Sequence, residues 1–257
     1  MLYVLCPMLY LEVLMQIITD EQLVKSRARI GNYFFLLGFV LIGVSLFITW
    51  FRQEQILLAF AALLLGFLLT NFGTYNMGKW GRVPNTAQRA DQLLEKELKG
   101  LDNRYRLYNY TLPVEHALLT PAGLVVLETR RQEGAIGCQG DKWQYKRNLV
   151  SWLRLFIEES VGNPTRDAVN SAAAMRRLIA RSVMVPGEGD TEAIPVEPLI
   201  VFLNPSARLT VDNPTVPVIT AKDLKKVIRN LVGKNKLPNE VYDQLVQTLD
   251  KGTTAKG

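Results

Sequence analysis

Two acidic residues at the ends of two short apolar segments have the spacing to hold a cation between them. Glu115 begins the first segment and Glu128 closes the second, with Arg130 two residues further on. If the connection has an even count, with Pro121 and Ala122 at its tip, Glu115 faces Glu128, and opposed residues have Cβ atoms roughly 4.5–5.5 Å apart. Mg²⁺ takes one or two carboxylates together with phosphate oxygens and water. This register therefore predicts a Mg²⁺ site, with Arg130 on the same face.

A second register of the same hairpin gives a different result. The Pro121–Gly123 stretch also suits a type I turn followed by a glycine bulge, which makes a three-residue loop. That slip places Glu128 opposite His116 and sends Glu115 to the other face of the sheet. The sequence alone leaves both registers open.

Residues 30–78 precede these segments and carry two long apolar runs. The runs, about 33–51 and 56–75, contain no charged residue, and a short polar turn separates them. Roughly 20 apolar residues cross a hydrocarbon core about 30 Å thick as a helix, and a helix satisfies its own backbone hydrogen bonds in lipid. A core helix of a soluble protein usually keeps one polar stripe, which both runs lack. The pattern predicts a two-helix transmembrane hairpin in a lipid bilayer.

Cations on both sides of this hairpin predict its orientation. The flanking cations are Lys25, Arg27 and Arg29 before the first run and Lys79, Arg82 and Arg89 after the second. Since positive charge is retained on the cytoplasmic side, both termini are expected in the cytoplasm, with the protein in the cell (plasma) membrane. Residues 1–29 then form an N-terminal cytoplasmic or interfacial segment. Its first part is either an interfacial helix or precedes a translation start at Met15.

The remaining chain suits one compact cytoplasmic domain, residues 79–250, followed by a disordered tail, residues 251–257. The net charge is +6, but membrane flanks supply part of it, so it is weak evidence for nucleic acid. Two cysteines without zinc spacing suit a reducing compartment.

Periodicity and turn residues give the order of elements in this domain. We predict a helix at 86–101; strands at 104–112, 115–119 and 124–129; a glycine-bearing loop at 134–140; a helix capped by Asn163; strands at 199–203 and 216–219; and helices after Thr220 and Pro238. This order is typical of an α/β domain with a mixed sheet flanked by helices.

Residues 91–219 resemble the nuclease-related domain, known as NERD, a branch of the restriction-endonuclease-like fold. The resemblance rests on the order of landmarks along the chain. These are Asp91 before a helix, Glu115, a hydrophobic strand ending in Glu128-Thr129-Arg130, Gly134-Ala135-Ile136, Trp143, and Asn163-Pro164 with Asp167 nearby. The resemblance implies that Asp91, Glu115 and Glu128 bind Mg²⁺. It also implies that Glu115, Glu128 and Arg130 are catalytic in phosphodiester cleavage of nucleic acid.

Four polar positions depart from the pattern of that family. Asp91 stands where the family usually has glutamate, Glu115 replaces aspartate, Arg130 replaces lysine, and Asp167 replaces glutamine. Arginine stays protonated, so it can bind phosphate but cannot act as a base. We therefore expect weak or lost cleavage. The alternative is a non-catalytic membrane scaffold or accessory subunit, with other membrane proteins as partners.

Overall fold

The computed structural model describes residues 14–81, 88–146, 162–182, 194–233 and 236–254. The helices are α1 (Glu21–Phe51), α2 (Ile56–Trp80), α3 (Ala90–Leu98), α4 (Pro164–Ser182), α5 (Leu224–Val232) and α6 (Asn239–Thr254). The strands are β1 (Gln16–Thr19), β2 (Arg106–Asn109), β3 (His116–Thr120), β4 (Gly123–Arg130), β5 (Gly134–Gln139), β6 (Lys142–Lys146), β7 (Val196–Phe202), β8 (Ala207–Asp212) and β9 (Val218–Thr220). Arg82, Arg147 and residues 1–13 lie outside the described residues.

Six strands form a mixed sheet in the order β1-β2-β3-β4-β7-β9. β1 is parallel to β2, β3 is antiparallel to both of its neighbours, and β7 and β9 are parallel to β4. The carboxyl ends of β1, β2, β4, β7 and β9 therefore lie along one edge, which we call the site edge. The predicted mixed sheet flanked by helices is confirmed.

Apolar residues of β4 alternate between the two faces of this sheet. Leu124 and Val126 pack with Met175 of α4 and Leu249 of α6. Val125 and Leu127 face the other way, in a core formed with Leu94, Leu98, Leu224 and Ile228 of α3 and α5. Because the face alternates along a strand, Glu128 and Arg130 emerge at the site edge on the α4 side.

A second sheet corrects the prediction for residues 134–140. Residues 134–139 form β5, which is antiparallel to β6 and parallel to β8. Three glycines in seven residues indicated a loop, but Ile136 is buried with Phe202 and Val216. Burial against the main sheet outweighs the weak strand preference of glycine.

α1 and α2 form an antiparallel hairpin in which small residues meet at seven-residue intervals. Gly31 lies beside Gly73, Gly38 beside Gly66, and the Ser45 hydroxyl donates to the Ala59 carbonyl over 2.7 Å. A Cβ atom at Gly38 would lie 2.5 Å from the Thr70 backbone nitrogen. Small residues let helix backbones approach this closely, as in membrane-helix packing.

Both helices are long and apolar enough to cross a membrane. Their most apolar windows have mean hydropathies of 2.4 for α1 and 2.2 for α2. Only 11% of the first window and 17% of the second are buried. A core helix of a soluble protein is mostly buried, so the exposed apolar surface favours a hydrocarbon environment.

The structure describes two terminal segments in more detail than the sequence predicted. Residues 16–19, expected in a cytoplasmic or interfacial segment, form β1 and pair with β2, because β2 offers an open edge of the sheet. α6 continues to Thr254, four residues into the predicted tail, and its Leu249 is fully buried near the end.

Candidate functional site

The hairpin between β3 and β4 has a two-residue loop. Leu119 pairs with Leu124 and Thr120 pairs with Gly123, so Pro121 and Ala122 form the tip. Gly123 has a φ of +135°, and a Cβ there would lie 2.5 Å from the carbonyl oxygen of Pro195. A larger residue cannot fit beside that carbonyl, which fixes the turn.

This register is the even-count alternative. Continued past Ala117, which pairs with Val126, it places Glu115 and Glu128 on the same face at the site edge. Glu115 precedes β3, and its side chain is about half exposed. Burial raises the pKa of the Glu128 carboxyl, and the negative charges of Glu115 and Asp167 add to the rise. The Glu115 and Glu128 carboxylates are therefore near enough to interact electrostatically.

Arg130 lies between two carboxylates. Its Nη1 atom donates to Glu128, and its Nη2 atom donates to Asp167 Oδ2 over 2.6 Å. Asp167 is in the first turn of α4, which Asn163 caps by accepting from the Arg166 backbone N–H over 3.0 Å. The Arg130 side chain is only 11% exposed, so it is committed to these two acids. The guanidinium lowers the pKa of Glu128, but burial outweighs it.

Glu115 is neutralised by the end of α2. Lys79 Nζ donates to Glu115 Oε1 over 2.8 Å. The adjacent Trp80 packs against Tyr110, with ring centroids 4.8 Å apart. Arg131, next to Arg130, donates to the Gly78 carbonyl over 3.0 Å. These contacts join the last turn of α2 to the site edge.

Asp91 has its own partner as well. Arg89 donates to both of its carboxylate oxygens, over 3.0 and 2.7 Å, and both side chains are buried. Arg89 Nη2 also lies 3.7 Å from Glu21, in the first turn of α1. Bidentate arginine–carboxylate pairs are strong and geometrically specific, so Asp91 is neutralised by Arg89, although the charges of Asp91 and Glu115 both act on His116.

The candidate metal ligands therefore do not form a metal-binding arrangement. Asp91, Glu115 and Glu128 are each paired with a different cation, and among the described residues no group of three or more His, Cys, Asp or Glu side chains could hold an ion. Mg²⁺ requires converging oxygen ligands in near-octahedral geometry. As arranged, the donor set does not fit Mg²⁺.

His116, which the three-residue-loop register would place opposite Glu128, is fully buried in this region. Its Nδ1 atom donates to Asn109 Oδ1 over 2.8 Å, and Asn109 Nδ2 donates to Thr19 Oγ1 over 3.1 Å. Within the described residues, His116 Nε2 has no hydrogen-bond partner. Burial lowers the pKa of His116 to about 4, so the imidazole is neutral at physiological pH. Its ring packs against Tyr110, which has a left-handed φ of +62°.

Trp143 packs against the first turn of α4 and the end of β7. Its Nε1 atom donates to Thr165 Oγ1 over 2.9 Å, and its ring lies 5.9 Å from that of Phe202. Thr165 is in the first turn of α4, two residues before Asp167. Trp143 thus fixes the end of α4 that carries Asp167.

Sequence reasoning identified Glu115, Glu128, Arg130 and Asp167, which meet at the site edge. It missed Lys79 and Arg89 as partners of the acids, although both were noted as flanking cations. The positive charge of both residues was the signal in the sequence that could have indicated partners for the predicted acidic residues. Their pairing depends on where the chain enters and leaves α1 and α2.

One comparison with known proteins finds a match to a domain family. The family model of the nuclease-related domain matches residues 85–203, a stretch that begins before α3 and ends just after β7. No curated protein and no solved structure matches the chain significantly. The matched stretch includes the candidate site residues and follows two helices that are long and apolar enough to cross a membrane. Residues 85–203 of this chain therefore form a nuclease-related domain.

Proposed function

We propose that this chain is a membrane-anchored nuclease-related protein that has lost most or all Mg²⁺-dependent phosphodiester cleavage. It acts as a non-catalytic binding or scaffold module at the membrane. The observation that carries the proposal is the position of Arg130, whose guanidinium holds Glu128 and Asp167 together. A fixed cation occupies the place between acids that a metal ion would need.

The chemistry of Arg130 supports the same conclusion. The resemblance implies a lysine at this position, which would position or deprotonate the attacking water. Arginine stays protonated at physiological pH and cannot accept that proton. Since Arg130 already donates to two acids, it is also poorly placed to hold a scissile phosphate.

A Mg²⁺-dependent nuclease is the second candidate, and the register of β3 and β4 favours it. Glu115 and Glu128 share one face of the sheet edge. Displacement of Lys79, Arg89 and Arg130 from their partners would free all three carboxylates. In that case Asp91, Glu115 and Glu128 would bind the metal.

A cleavage assay on the full chain in detergent separates the two candidates. Single- and double-stranded DNA and RNA are incubated with Mg²⁺ or Mn²⁺, and the Glu128→Ala variant is the matched control. We expect no cleavage above that of the variant. Cleavage by the wild-type chain that Glu128→Ala abolishes would refute the proposed loss of activity.

The proposed anchoring places α1 and α2 across the plasma membrane, with both termini in the cytoplasm. The apolar surface of the two helices and the cations at their cytoplasmic ends support this orientation. In sealed right-side-out vesicles, an epitope at the C-terminus should be protected from external protease. Cleavage of that epitope, or release of the chain by alkaline carbonate, would contradict the proposal.

A further inference from the structure

The site edge of the nuclease-related domain lies next to the start of α1 and the end of α2. α1 begins two residues after β1 ends at this edge, and the last turn of α2 contacts it through Lys79 and Trp80. Arg89 and Glu21 add a contact of 3.7 Å on the α1 side. Several independent contacts thus fix the domain close to the helix ends.

The residues that lie level with one another on α1 and α2 give the depth of the site edge when the hairpin spans a bilayer. Gly31 lies level with Gly73 and Gly38 with Gly66, so Ile30, where the charge-free run of α1 begins, lies level with Thr74. Lys79 is five residues beyond Thr74, about 8 Å along a helix that rises 1.5 Å per residue. The polar layer on each side of the hydrocarbon core is about 5–8 Å deep. The ion pair of Lys79 with Glu115 therefore lies at the level of the lipid headgroups.

Three cations of α1 lie at this level. Lys25, Arg27 and Arg29, which we call the basic collar, are exposed, and no ion pair involves them among the described residues. By the same packing, Lys25 lies level with Lys79. Cations that are exposed at a membrane surface are attracted to anionic lipids.

The phosphate groups at the depth of the Lys79–Glu115 pair are those of the lipid headgroups.

We propose that the basic collar binds anionic phospholipid headgroups and holds the site edge against the bilayer surface. The phosphates nearest to the site edge are then those of the lipid headgroups. This inference rests on the membrane insertion proposed above, but not on the loss of cleavage.

Native mass spectrometry of the full chain in detergent tests the collar directly. The chain is offered phosphatidylglycerol and phosphatidylcholine with the same acyl chains at equal concentration. We expect the wild-type chain to retain phosphatidylglycerol in preference, and Lys25→Gln/Arg27→Gln/Arg29→Gln to reduce that preference about tenfold or more, since each cation near an anionic surface contributes several-fold. The matched control is Lys226→Gln/Arg229→Gln/Lys236→Gln, which removes three exposed cations elsewhere in the domain and should leave the preference unchanged.

Equal retention of both lipids by the wild-type chain would overturn the inference, as would equal losses in the collar variant and its control. Duplex DNA or RNA that binds the chain in nanodiscs, and loses binding in the collar variant, would assign the collar to nucleic acid and would also overturn it. Carbonate extraction distinguishes the two proposals. If the chain is extracted, the anchoring fails, and if it stays in the membrane without lipid preference, only the headgroup inference fails.

Discussion

The guanidinium of Arg130 lies 2.6 Å from the carboxylate of Asp167, and the same side chain holds Glu128. Arg130→Ala should lower the free energy of unfolding by about 1–3 kcal/mol at pH 7, because it leaves a mostly buried carboxylate without its hydrogen-bonded cation. With the arginine removed, the pKa of Glu128 should rise further. The loss of stability should therefore be smaller at pH 5. Thermal unfolding of the two chains at both pH values measures this.

Arg130→Lys is the matched control, because it keeps the charge but loses the fork that reaches two acids. It should lose less stability than Arg130→Ala. In Arg130→Ala, millimolar Mg²⁺ should raise the melting temperature more than in the wild-type chain, since Glu128 and Asp167 are then without a fixed cation. Equal stability of Arg130→Ala and the wild-type chain would show that the bridge contributes nothing.

The hairpin should be sensitive to a methyl group at Gly38 and tolerant of one at Gly43. Gly38→Ala places a Cβ 2.5 Å from the Thr70 nitrogen, whereas a Cβ at Gly43 meets nothing within 4 Å. Overpacking of this kind costs about 1–3 kcal/mol. Melting followed by circular dichroism in detergent should show a lower transition for Gly38→Ala alone. Similar transitions in both variants would argue against close contact of the helices.

His116 should make the domain less stable in acid. Its pKa is about 4 in the folded chain and about 6.5 when unfolded, so the unfolded state binds the proton first as the pH falls. The stabilising effect of the neutral imidazole is fully present above pH 6.5 and is lost progressively towards pH 4. The complete loss corresponds to roughly 3 kcal/mol.

This effect can be isolated because His116 is the only histidine in the sequence. Unfolding free energies measured between pH 7 and 5 avoid most carboxylate titration. His116→Leu should flatten the dependence on pH in that range, whatever its effect on stability at pH 7. An unchanged slope in the variant would show that other groups cause it.

Asp250 should be needed to dock α6 on the sheet. Its carboxylate accepts from Arg106 Nη1 and from the Tyr108 hydroxyl, both over 2.8 Å. Asp250→Asn should destabilise the domain by about 1–3 kcal/mol, as charge-assisted hydrogen bonds are lost. Asp243→Asn, at an exposed position of the same helix, is the control and should change stability by less than about 0.5 kcal/mol. Equal effects would indicate that only the net charge of α6 matters.

Elements with strong local signals were predictable from the sequence. Asn163 and Pro164 marked the start of α4, and the apolar stretch at 199–203 falls largely within the buried strand β7. The register of β3 and β4 was predicted as one of two alternatives. It was decided by the approach of Pro195 to Gly123, a contact between residues distant in sequence.

The parts that could not be predicted depend on distant pairing. β1 has only four residues and becomes a strand because β2, ninety residues later, offers it an edge. β5 carries glycines that indicate a loop, and it is stabilised by β8. At the site, the identity of the acids followed from the sequence, but their neutralisation by Lys79 and Arg89 followed from the path of the chain through α1 and α2.

The position of β1 ahead of α1 makes the hairpin of α1 and α2 an insertion within the sheet of the domain. Both helices are translated between β1 and its partner β2, so the outer strand cannot pair until both helices have left the ribosome. A fragment expressed from the end of α2 onwards would lack this outer strand and expose the backbone of β2 as a site for aggregation. The hairpin is thus joined to the domain at both of its ends, through β1 on one side and the end of α2 on the other.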